Sequence, residues 1–261
     1  LAGRRLVPPH LVDTVEPHEE FSVARFQRAA DEAFDDIVGR GAHGLLVGGT
    51  GLYHQAVIDD LALPGRFPQV LATLEAEAVD EDCLRSMHGR LASLDPVAAE
   101  RMEPTNRRRV LRALEVTLGA GRPFSSFGPG LDAHPPTPFV QVGLRLERAV
   151  TAGRIAERFD AMIDAGLLDE VRALVELPGG LSRTASQALG YRELAEHLNG
   201  ERTLPDAVSA AVQRTQQLAV RQERWFRRDP RLVWVDAEAD AATVADRVQA
   251  AWATAGAWEP T

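Results

Sequence analysis

Leu45-Leu46-Val47 is a short apolar run that leads directly into Gly48-Gly49-Thr50-Gly51. A few apolar residues ending in glycines read as a buried strand that opens into a tight loop and then a helix. That order of elements predicts an α/β fold, and it predicts where a ligand would sit. In an open parallel sheet, ligands occupy the carboxyl ends of strands, where loop amides and helix N-termini hold phosphate. Glycines without Cβ let a ligand approach the backbone, and Thr50 adds a hydroxyl that donates to an oxygen or a phosphate. Turns of this kind also arise for steric reasons alone, so the motif by itself leaves both a ligand loop and a packing turn open.

The flanking sequence supplies elements for such a fold. Ser22 is placed to cap a helix whose apolar residues Val23, Phe26, Ala30, Phe34 and Ile37 recur at helical spacing, ending at Gly39 and Gly41. From residue 64 to 123 the pattern is helical throughout, with Val70, Leu71, Leu74, Leu84, Met87, Leu91 and Leu94 as its apolar positions. Proline and glycine then crowd residues 123–138, which read as a hinge. Strands are predicted at 139–146 and 231–235, and helices at 151–177, 187–198, 205–226 and 239–252. The expected organisation is therefore an α/β core of residues 1–64 and 132–261 with a helical insertion at 65–131.

Charge and cysteine usage narrow the function classes. A net charge of −9 argues against indiscriminate coating of nucleic acid, because phosphate affinity comes largely from basic residues that release counterions. The arginines are nevertheless clustered: Arg107, Arg108, Arg109 and Arg112 in one stretch, and Arg214, Arg221, Arg224, Arg227, Arg228 and Arg231 in another. Basic surfaces on an acidic body suit one specific polyanion, or else are solvated helix faces. The lone Cys83 excludes an internal disulfide and points to a reducing cytoplasm. No run approaches the roughly 18 apolar residues of a membrane span.

Two further segments have the composition of binding surfaces. In Arg108-Arg109-Val110-Leu111-Arg112-Ala113-Leu114-Glu115-Val116, helical spacing puts Arg108 and Arg112 on one face with Arg109 beside them. Val110, Ala113, Leu114 and Val116 then pack inward. In Gln187-Ala188-Leu189-Gly190-Tyr191-Arg192-Glu193 and in the stretch from Arg214 to Pro230, guanidinium groups alternate with glutamines and aromatics, supplying phosphate forks and amide donors. Trp225 and Phe226 read first as core anchors.

VGGTGLY, RRVLRALEV, QALGYRE and RQERWFRRDPRLVWVD, in this order, together with the opening VPPHLVDTVEPHEEFSVARFQRAA, resemble the bacterial tRNA dimethylallyltransferase family over nearly the whole chain. The resemblance implies a core like that of P-loop, ATP-binding NTPases with a helical insertion that clasps tRNA. It also implies transfer of a dimethylallyl group from dimethylallyl diphosphate to N6 of an adenosine beside the anticodon, with Mg2+, by a cytoplasmic monomer without a membrane. Carried over by motif, Thr50 is the catalytic contact to the leaving oxygen, and Gly48, Gly49, Arg192 and Arg221 hold the diphosphate. Arg108, Arg109, Arg112, Gln187, Gly190, Tyr191, Arg192, Gln222, Arg224, Trp225 and Arg227 face the tRNA anticodon stem-loop. The resemblance is incomplete, because the phosphate loop and the Asp-Ser segment bearing the general base occur nowhere in these residues. The expectation is a chain truncated upstream of Leu1, lacking a central strand and inactive as it stands. Asn106 stands where the family usually has aspartate. A non-catalytic RNA-binding remnant and a P-loop nucleotide kinase-like phosphotransferase are the alternatives.

Overall fold

The computed structural model describes residues 7–256. The described chain divides into two compact units, Asp59–Pro135 and the remainder. Helix α1, Val23–Gly39, starts where its sequence predicts: Ser22 is extended and its hydroxyl accepts from the Arg25 amide at 3.3 Å. Helix α2, Gly51–Ile58, packs on it. The contact is fixed by the Gln27 side-chain amide, which donates to the Ala56 carbonyl at 2.9 Å.

The unit Asp59–Pro135 is helical, with α3 (Pro68–Glu77), α4 (Glu81–Leu94), α5 (Pro96–Glu100) and α6 (Arg107–Ala120). Leu74, Leu84, Met87, Leu91, Val110 and Leu114 form its core, as their spacing predicts. Leu94 does not join them; it is the last residue of α4 and stands exposed. Asp95 is buried and ties the unit together: it caps α5 through the Ala98 amide and accepts from the Ser125 amide and hydroxyl, both at 2.7 Å. Burial would raise its carboxyl, but the Ser125 and Ala98 hydrogen bonds outweigh that and hold it below the usual range.

In the other unit, β1 (Val142–Arg145) and β2 (Val233–Asp236) pair in parallel, with Val142 opposite Val233 and Arg145 opposite Asp236. Helices α7 (Arg148–Asp164), α8 (Leu167–Val175), α9 (Tyr191–Leu198) and α10 (Leu204–Phe226) connect them, and α11 (Ala241–Thr254) follows. A parallel pair needs such a crossover, and the α/β class read from the sequence is the one observed. Phe159, Val171, Leu194, Ala207 and Ala211 make the core of the helical crossover.

Three sequence expectations need correction. The stretch 151–177 is two helices rather than one, because Gly166 takes a left-handed φ of +98° that breaks the ladder. Helix α9 begins at Tyr191 and not at Gln187, because Gly190 has φ +89° and residues 185–187 form a 3-10 turn. Residues 45–47 form no strand. Leu45 is 61 % and Val47 81 % exposed, and the sheet among the described residues contains only β1 and β2. A strand exists only where a neighbour takes up its amides and carbonyls, and none is described beside this run.

Candidate functional site at the glycine turn

The turn Gly48–Thr50 leads into α2, with the Thr50 carbonyl accepting from the His54 amide at 3.0 Å. The first amides of the helix have no intrahelical carbonyl to bond, and Thr50 is exposed beside them. What fixes the turn is the last part of α10. A Cβ on Gly49 would lie 2.4 Å from Gln222 Nε2, and one on Gly51 would lie 2.2 Å from Trp225 Cδ1. Neither glycine has a positive φ, so their lack of a side chain serves this close approach and no special backbone conformation. The same helix end contributes Phe226, whose ring meets His54 edge-on at 5.4 Å. Tyr53 packs on Phe26 at 5.0 Å and donates to the Phe21 carbonyl at 3.3 Å, so α2 is held from both sides.

Gln217, Arg221 and Arg224 recur at helical spacing on the exposed side of α10, and exposed Arg228 follows its end. Among the described residues, Arg221 and Arg224 make no side-chain hydrogen bond or ion pair and remain available as cations. Arg228 lies over the Trp225 ring at 4.9 Å. Arg227 is engaged differently: it pairs with Glu223, whose carboxylate also meets Arg148 at 3.5 Å.

The residues of the QALGYRE motif form a second group. Gln187 is exposed in the 3-10 turn, and Gly190 is buried where a Cβ would lie 2.8 Å from Phe159 Cζ. Arg192 Nε pairs with Glu196 at 3.0 Å. Tyr191 donates to Glu170 at 2.5 Å; burial and then that carboxylate push its hydroxyl up to about 12. Buried Glu193 accepts from the Gly190 amide at 3.2 Å and pairs with Arg214, which anchors α9 to α10. Arg214 and Gln222 are two turns apart on α10, about 12 Å along its axis. The structure thus brings Gly48, Gly49, Thr50, Gln222 and Trp225 together, with Arg221 and Arg224 on the same helix end. It holds Gln187, Gly190, Tyr191 and Arg192 in a separate cluster.

Helix α6 belongs to the helical unit. Val110, Ala113, Leu114 and Val116 are fully buried, as its periodicity predicts. Arg108 and Arg109 are exposed and make no ion pair among the described residues. Arg112 is partly buried: it donates to Glu115 and to the Pro64 carbonyl, each at 2.8 Å. Glu115 also receives the Phe67 amide at 2.7 Å. Sequence reading overlooked Glu115, although an acid set among inward-facing apolar residues is a sign of a buried partner. Asn106, in place of the family's aspartate, still caps the helix through the Arg109 amide at 3.2 Å.

Among the described residues, no helix is long and apolar enough to cross a membrane. No group of three or more His, Cys, Asp or Glu side chains that could hold a metal converges among them either.

Comparison with known proteins adds a consistent result. The model of the IPP transferase family matches residues 2–229. A tRNA dimethylallyltransferase of Desulforudis audaxviator is 44% identical over 234 residues, covering 90% of this chain and 76% of the relative. The crystal structure of a tRNA isopentenylpyrophosphate transferase from Bacillus halodurans is 33% identical with a TM-score of 0.64, covering 96% of this chain and 78% of that one. A eukaryotic dimethylallyltransferase solved acting on tRNA has the same fold at 24% identity, with a TM-score of 0.76 over 100% of this chain and 69% of its own.

Proposed function

The chain belongs to the IPP transferase family, and from that premise we propose that it serves a tRNA dimethylallyltransferase. The finer reading is transfer of the dimethylallyl group to N6 of the adenosine beside the anticodon. The single observation that carries this is the meeting of two motifs far apart in sequence, the glycine turn at Gly48–Gly51 and Gln222–Trp225. The chemistry sets clear demands. A bond forms between N6 of adenine and the allylic carbon, while the bond from that carbon to the diphosphate oxygen breaks. The amine proton passes to a base, and the electron pair leaves with the diphosphate. Adenine N6 is a weak nucleophile because its lone pair is delocalised, so a positioned base is required. The base must also leave its stack to be reached.

This chain's contribution lies on the leaving-group side. Thr50 and the first amides of α2 are suited to receive the developing negative charge on oxygen, as donors fixed before the reaction. Arg221 and Arg224 supply cations for diphosphate or tRNA phosphates. Magnesium, which the resemblance implies, finds no cage of protein ligands among the described residues. In this reading it would be carried by the diphosphate oxygens and would neutralise part of their charge. Thr50 and the glycines of the turn serve the leaving group in this reading, and the proton acceptor is the aspartate of the Asp-Ser segment that the family resemblance implies.

A protein that carries this chain together with a phosphate loop and an Asp-Ser segment, a cytoplasmic monomer in this reading, is expected to add one dimethylallyl group to an anticodon stem-loop, seen by mass spectrometry. A stem-loop whose mass does not change at saturating substrates would end the proposal. The 261-residue polypeptide made alone, without a phosphate loop, is expected to bind the stem-loop without modifying it; turnover by that polypeptide would refute this part.

A further inference from the structure

We infer that Gln222 and Trp225 are positioning residues for Thr50, setting the rate of transfer through the glycine turn and not through contact with tRNA. This rests on the function proposed above and reassigns two residues that the family resemblance gives to the RNA. The reason is occupancy. The five-membered ring of Trp225 fills the space a side chain on Gly51 would need, and the Gln222 amide fills that on Gly49. Thr50 lies between these two contacts, so the turn is bracketed on both sides of the residue whose hydroxyl matters. Arg228 lies over the same indole at 4.9 Å. An indole in contact with the turn backbone and under a guanidinium already has partners for its ring.

The arrangement accounts for two sequence features at once. Glycine is needed at 49 and 51 because α10 comes within contact of the backbone there, and the side chains that make the contact are three apart on one helical face. His54 against Phe226 continues the same seam one turn further along α2. A turn held by packing on one side keeps Thr50 on the open side. Displacement of a reacting group by about 1 Å is enough to lower a rate by two orders of magnitude.

The test uses that same phosphate-loop-bearing protein, dimethylallyl diphosphate and an anticodon stem-loop. Trp225→Leu and Gln222→Ala are expected to lower kcat about tenfold or more while stem-loop affinity by filter binding stays within about twofold. Trp225→Phe, which keeps a flat ring, is expected to recover most of the rate. A cycle adds an independent reading: Gly51→Ala and Trp225→Ala should each lower kcat, and the pair together should be no worse than Gly51→Ala alone, because removing the indole makes room for the new methyl group. Losses that multiply, or a stem-loop affinity that falls while kcat at saturating tRNA holds, would overturn the inference. A wild-type protein that transfers nothing is a different result and removes the proposed function itself. Should Trp225→Leu not fold, Gln222→Ala at its half-buried position carries the same comparison.

Discussion

Arg112→Ala separates two roles that one guanidinium on α6 could have, a tRNA contact or a strut. Glu115 has only 4% of its side chain exposed and is satisfied by the Phe67 amide and by Arg112, while the second Arg112 nitrogen holds the Pro64 carbonyl. Removing one partner of a buried ion pair costs about 3–5 kcal/mol, because the other charge is left uncompensated. Arg112 is 32% exposed, so water already weakens the pair, and the lower end, about 3 kcal/mol, is expected. The four tryptophans, Trp225, Trp234, Trp252 and Trp258, all lie outside Asp59–Pro135, so fluorescence does not report on this unit. Hydrogen exchange of the buried α6 amides in increasing urea does. The double variant Arg112→Met with Glu115→Gln should recover to within about 1 kcal/mol of the parent, since glutamine still accepts from Phe67 and no charge is stranded. A loss below about 1 kcal/mol for Arg112→Ala, together with a stem-loop affinity at least about tenfold weaker, would refute the strut and make the guanidinium an RNA ligand.

Three further outcomes follow from local geometry. Burial would raise the Asp229 carboxyl, but the hydrogen bonds and charge of Arg231 outweigh it and hold it down at about 2. A depressed carboxyl stabilises the fold above its unfolded pKa and loses that contribution as pH falls through the folded value. Asp229→Asn should therefore be less stable than the parent by about 2 kcal/mol at neutral pH, a gap that closes as pH falls from about 5 to about 2 in urea titrations. Gly190→Ala should cost about 2 kcal/mol or more, because φ +89° is strained for alanine and its methyl would meet Phe159. A thermal melt unchanged by that substitution would contradict the geometry. The chain has two tyrosines, so the alkaline absorbance titration of the parent minus that of Tyr191→Phe should show a single phenol ionising near 12. The raised value means that the Tyr191–Glu170 contribution is intact below the ordinary phenol range and is lost as pH rises through about 12.

Local chemistry made much of this fold legible. Ser22 and the apolar stripes of α1, α4 and α6 declare their helices through short-range hydrogen bonds and 3.6-residue spacing, and those signals survive intact in the sequence. The errors arose where a feature depends on something distant or on one backbone angle. Gly166 and Gly190 look like ordinary helix residues until their φ values are known. Leu45-Leu46-Val47 has the composition of a buried strand, but composition cannot supply the neighbouring strand that would make it one.

The candidate site shows the same division more sharply. Glycines at 49 and 51 say that something comes close to the backbone, and a Gln and a Trp three apart near the end of a helix say that one face there is built for contact. Neither segment states that the other is what it touches, because the pairing is set by how α2 and α10 cross, which depends on packing across the whole unit. Motif resemblance assigned Gln222 and Trp225 to the RNA on position alone, without regard to where their atoms lie. Occupied volume decides the matter differently: two side chains within 2.4 Å of where glycine methyl groups would stand are already spent on the turn. Among the described residues the guanidinium groups of Arg221 and Arg224, one step around the same helix, make no ion pair, and charge reversal at either is expected to weaken stem-loop or diphosphate binding while leaving the turn and its rate-setting geometry in place.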